Sequence, residues 1–143
     1  MIVPDINLLI YAYDVNAKKH TMAMSWWERC LAGTETVGLA WVAALGFLRI
    51  FTNPKVFANP MPVQTATAHV RSWLEHPQVQ ILHPGPRHAD IFFAYLNQLG
   101  TAANLTTDAH LAALAQEYQA VLHTADTDFA RFAGLRWINP LGK

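Results

Sequence analysis

Cysteine is nearly absent from this chain: Cys30 stands alone among 143 residues, so no internal disulfide can form, and a reducing compartment is the simplest setting. Inside a helical pattern, that cysteine reads as a small apolar core residue rather than a reactive thiol. Net charge is absent too, since ten lysines and arginines offset ten aspartates and glutamates, and the sequence pI is about 7.1. A whole-molecule field able to gather a polyanion is therefore excluded, and nucleic-acid binding would have to come from local patches or from bound metal. No apolar run is long enough for a bilayer, because the longest, residues 37–51, is interrupted by Arg49. Asp5 breaks the N-terminal apolar segment and no basic stretch precedes it, so no signal peptide is read. The expectation is a cytoplasmic protein without membrane contact.

What the chain does have is apolar surface and strong periodicity. Hydrophobic residues make up 52% of it and charged residues only 14%, enough for a folded domain with a real core. Apolar spacing predicts helices over 6–13, 21–31, 41–52, 63–74, 87–99 and 108–118, with a helical turn at 128–132. Short apolar runs at 1–4, 79–82, 120–124 and 136–138 read as strands, and 36–39 is a weaker candidate. Strands separated by helices need crossovers, and crossovers favour a parallel sheet covered on both faces. The expected fold is a single α/β domain over 1–143, a three-layer α/β/α arrangement around about five short, mainly parallel strands. Thr106 or Thr107 is placed to cap the helix that carries Asp108. The 41–52 helix is apolar nearly all round, which implies burial in the core or at a subunit contact. The five tryptophans lie in apolar patterns that favour core packing over base stacking.

The chemistry concentrates in aspartate. Asp5 follows the first strand, Asp108 opens a helix, and Asp126 and Asp128 follow the apolar run that ends at His123. Taken singly, each has an ordinary role as a helix cap, a partner for a helix dipole or a turn residue. Together they occupy strand ends and helix starts, positions that converge on one edge of a parallel sheet. No lysine or arginine lies within four residues of them except Arg131 near Asp128. Converging carboxylates repel one another unless a cation neutralises them, and an all-oxygen set suits magnesium or manganese rather than structural zinc. Asn7, two residues after Asp5, could hold that carboxylate or its backbone through a side-chain hydrogen bond. His69, His76, His83, His88 and His110 form no trustworthy metal-ligand spacing.

Val3-Pro4-Asp5-Ile6-Asn7-Leu8-Leu9, Phe47-Leu48-Arg49-Ile50-Phe51-Thr52-Asn53-Pro54, Asp108-Ala109-His110-Leu111-Ala112-Ala113-Leu114-Ala115 and Thr124-Ala125-Asp126-Thr127-Asp128-Phe129 follow one another in order. With Phe132 to Leu141 they make a chain-long pattern that resembles PIN-domain ribonucleases, specifically the small toxins of VapBC-type toxin-antitoxin pairs. The resemblance implies a magnesium-dependent endoribonuclease, with manganese a possible substitute. Asp5, Asp108 and Asp126 would be metal ligands or act through metal-bound water, Asp128 a further acidic member, and Asn7 and Thr124 supporting groups. It also implies an RNA substrate, a cognate antitoxin and a homodimer. One departure stands out. Many such toxins carry a glutamate early in the second core helix, and the aligned residue here is Gly46, leaving one or two metals open. A PIN-fold antitoxin-binding module with weak or lost nuclease activity is the alternative. A phosphohydrolase of small phosphate esters is a third reading, weakened because Asn7 stands where a common nucleophile motif has a second aspartate.

Overall fold

A computed structural model describes residues 1–142. Five strands form one sheet: β1 (Ile2–Pro4), β2 (Val37–Ala40), β3 (Val79–Leu82), β4 (Val121–His123) and β5 (Trp137–Ile138), in the order β3-β2-β1-β4-β5 with every pairing parallel. Six helices connect them: α1 (Ile6–Tyr13), α2 (His20–Ala32), α3 (Trp41–Phe51), α4 (Val63–Leu74), α5 (His88–Leu99) and α6 (Thr106–Glu117). No helix among the described residues is long and apolar enough to cross a membrane.

Alternation along the strands divides the core in two. On one face of the sheet, Leu8 and Leu9 of α1, Trp26 and Trp27 of α2, Phe47 of α3 and Trp73 of α4 pack with Val37 and Leu39 of β2. On the other, Val3, Ala40, Leu82 and Leu122 pack with Tyr95 of α5 and the run Leu111, Ala112, Ala113, Leu114, Ala115 of α6. The small alanines let α6 lie close to the sheet. Fully buried aromatic side chains such as Trp73 and Phe47 each contribute on the order of 2–3 kcal/mol. The Trp73 indole N–H is not wasted on apolar surroundings, because it donates to the Tyr13 hydroxyl at 2.8 Å.

The chain winds outward from β1 through β2 to β3, then returns to lay β4 on the other side of β1. The gap beyond the carboxyl ends of β1 and β4 is thus a topological switch point, the usual ligand crevice of an open parallel sheet. Pro4 ends β1 and has no N–H to give the ladder, but Asp5 restores the link by donating its N–H to the His123 carbonyl at 2.9 Å.

Element boundaries agree with the periodicity to within a few residues, and several details differ. The weak strand at 36–39 is a full strand at Val37–Ala40, and a 3₁₀ turn at Ala103–Leu105 precedes α6. Leu105, without a side-chain cap bond, occupies the N-cap of α6, while Thr106 lies inside the helix and donates its hydroxyl to the Ala103 carbonyl at 2.9 Å. A positive φ of 37° at Ala103 turns the chain there. Helix α3 buries one side only: Ala43, Ala44 and Phe47 face the core, whereas Trp41 and Leu45 are exposed. Trp41 is therefore not the core residue its surroundings in sequence suggest.

Candidate active site

Asp5 sits at the N-cap of α1 in extended conformation, with one carboxylate oxygen accepting the Ile6 N–H at 2.8 Å. The other oxygen accepts the Thr124 hydroxyl at 2.7 Å. Thr124 is fully buried one residue beyond β4. Its single proton goes to Asp5, so its lone pairs are left to accept, and they do so from the Asp126 N–H at 2.9 Å and from Asn7 Nδ2 at 3.4 Å. One hydroxyl thereby ties the ends of β1 and β4 together across the switch point. That donor and acceptor count also sets the Asn7 amide orientation, with its Oδ1 buried and without a partner. Asn7 supports Asp5 through Thr124, not by the direct bond expected from sequence.

Asp126 uses its Oδ1 to accept the Asp128 N–H at 2.9 Å, capping the 3₁₀ turn Thr127–Arg131. Asp128 is exposed at the margin. Asp108 lies in the first turn of α6. Burial is the main cause that raises its carboxyl to about 6, and the negative charges of Asp5, Asp126 and Asp128 add to it. Burial likewise raises Asp5 above the usual carboxylate range, opposed by its hydrogen bonds from Thr124 and Ile6 and reinforced by Asp126. None of the groups that shift Asp5 or Asp108 is a cation. Asp108 thus lies in the field of the other three aspartates, and Asp5, Asp126, Asn7 and Thr124 share a single hydrogen-bond network.

On β4, Trp26 Nε1 donates to His123 Nδ1 at 3.1 Å, and burial holds His123 down at about 4. It is neutral at physiological pH and supplies no counter-charge to Asp5. The only sign of it in sequence was a polar residue ending an apolar strand. His110 pairs with His88 at 3.0 Å, between α5 and α6.

Among the described residues, no three histidine, cysteine, aspartate or glutamate side chains are grouped closely enough to form a ready-made metal cage. The four acids offer oxygen donors only, and no cation is among the groups that shift Asp5 or Asp108. This suits a hydrated magnesium-type ion, which keeps several waters and uses one or two carboxylates, and does not suit zinc. At the aligned glutamate position, Gly46 is buried, and a Cβ built there would lie 2.7 Å from Ile6 Cδ1. Any side chain at this position would have to displace Ile6.

A family model described as "PIN domain" matches residues 2–135. The chain belongs to the PIN-domain family. Within it, the chain is 50% identical over 141 residues to Ribonuclease VapC33 of Mycobacterium tuberculosis, with 99% of each chain covered. The PIN fold is shared with M. tuberculosis VapC20, a toxin described as cleaving the sarcin-ricin loop, at a TM-score of 0.69, 15% identity and coverage of 94% and 96% of the two chains. It is shared also with VapBC-1 of nontypeable Haemophilus influenzae, at a TM-score of 0.68, 19% identity and 98% of each chain.

Proposed function

We propose that this PIN-domain chain is a magnesium-dependent endoribonuclease, the toxin of a type II toxin-antitoxin pair, acting in the cytoplasm. One observation carries the reading: in a chain half identical to a named ribonuclease, Asp108 feels the charges of Asp5, Asp126 and Asp128, and no cation is among the groups that shift Asp5 and Asp108. Asp5, Asp108 and Asp126 would hold the ion, with Asp128 at the rim. When bound, a divalent ion lowers the pKa of a coordinated water and stabilises negative charge on a phosphodiester.

The chain's own residues then have distinct tasks. Thr124 and the Ile6 N–H hold the Asp5 carboxylate from both sides, so its orientation is set before any ligand arrives. Asn7 and the Asp126 N–H occupy the Thr124 lone pairs and keep that hydroxyl proton directed at Asp5. Asp108, which burial raises to about 6 in the metal-free chain, would be favoured in its charged form by the cation it holds. The expected products are 5′-phosphate and 3′-hydroxyl RNA ends. Solved relatives include toxin-antitoxin complexes, which supports a cognate antitoxin as partner; a homodimer is proposed with it.

Incubating the purified protein with structured RNA in magnesium, in manganese and in EDTA tests the reading. Cleavage should need the ion and be lost in Asp5→Asn, Asp108→Asn and Asp126→Asn. Undiminished cleavage in all three would remove the assignment. The Gly46 packing favours one second reading, an antitoxin-binding module with weak or lost cleavage. Calorimetry showing no magnesium uptake would select it.

A further inference from the structure

We propose that Gly46 is a positioning residue for Asp5: by lacking a side chain it seats Ile6 against α3, and Ile6 in turn fixes the Asp5 carboxylate. This rests on the reading of Asp5 as a metal-binding group. A Cβ at position 46 would lie 2.7 Å from Ile6 Cδ1 and 3.1 Å from both Cγ1 and Cγ2, where non-bonded carbons settle at roughly 3.5–4.0 Å. Cδ1 is the free end of the side chain, but Cγ1 and Cγ2 branch directly from the Ile6 Cβ, so a Cβ at position 46 presses on Ile6 close to its backbone as well as at its tip. Gly46 is buried within α3, whereas Ile6 is the first residue of α1 and partly exposed. The start of α1 therefore yields first.

Ile6 is also the residue whose N–H donates to Asp5 Oδ1 at 2.8 Å. Moving it displaces one of the two bonds that set the Asp5 carboxylate, leaving Thr124 as the other. Through this coupling α3 shapes the acidic crevice without lending it a ligand. Groups that orient a metal-binding side chain affect ion affinity even though they never touch the ion.

The test is a Mn2+ titration followed by the loss of the free-ion paramagnetic resonance signal, with thermal unfolding measured on the same samples. Gly46→Ala should weaken Mn2+ binding by about tenfold. Ile6→Val removes Cδ1, the atom in closest conflict, so the Ile6→Val/Gly46→Ala pair should regain most of that affinity. Phe47→Leu, a core change on the same helix, should lower the unfolding temperature and leave Mn2+ affinity unchanged. Wild-type affinity in Gly46→Ala, no recovery in the pair, or equal weakening in Phe47→Leu would each overturn the proposal. If wild type cleaves RNA and binds Mn2+ while Gly46→Ala binds equally well, only the positioning role falls. If wild type takes up no Mn2+, the metal reading falls and this proposal with it.

Discussion

Asp108→Asn should abolish RNA cleavage and, at neutral pH without divalent metal, make the protein more stable. The Asp108 carboxyl is raised from 3.8 to about 6, which corresponds to a ceiling of about 3 kcal/mol against its ionised form in the folded chain. Asp108 is only partly buried, and solvent screening reduces that to roughly 1.5 kcal/mol. A carboxylate in the first turn of a helix returns about 0.5 kcal/mol through the helix dipole. Removing the charge should therefore stabilise by about 1 kcal/mol, a rise of about 3–4 °C in unfolding temperature for a domain of this size. The folded-state pKa lies above the unfolded one, so the penalty is full above about 6 and falls away as pH drops toward 3.8. Circular dichroism melts in EDTA, at neutral pH and near pH 4, should show a clear gain for Asp108→Asn in the first and little in the second. A variant less stable than wild type at neutral pH would mean that Asp108 is satisfied where it stands and the crevice carries no surplus of charge.

Thr124→Val keeps the shape of a fully buried residue but strips the acceptor from the Asp126 N–H and the donor from Asp5. Denaturant unfolding should show a loss of about 1–3 kcal/mol, with cleavage much reduced and Thr124→Ser close to wild type. Magnesium should raise the unfolding temperature more at pH 7.5 than at pH 5, because Asp108 ionises as pH rises through about 6; an equal rise at both would place the ion away from Asp108. Trp73→Leu should cost about 3 kcal/mol, since a fully buried ring that donates to Tyr13 is removed; a change under 1 kcal/mol would contradict the packing described.

Most of the architecture was legible because it follows from local pattern. Helix 6–13 and strand 79–82 could be read from spacing of apolar residues alone, and crossovers between short strands implied a parallel sheet. The aspartates could be paired only through that topology, since nothing local links Asp5 with Asp126. What escaped were contacts between distant parts of the chain. Asn7 reaches Thr124 rather than Asp5 because the hydroxyl stands between them, and sequence has no measure of that. Trp41 is exposed because α3 turns it away from the sheet; an all-apolar helix does not reveal which side will be covered. The Gly46 and Ile6 contact pairs residues forty positions apart, so the missing glutamate could be noticed in sequence but its consequence could not. The leucine at the α6 N-cap reflects a preceding 3₁₀ turn, which short-range threonine preferences do not disclose.

An anomalous-difference map from crystals soaked in manganese bears on all of this at once. A peak bounded by the Asp5, Asp108 and Asp126 carboxylates is expected, lost in crystals of Asp5→Asn. A well-soaked crystal with no peak there, or with manganese only elsewhere on the surface, would show that the crevice at the ends of β1 and β4 does not hold the ion.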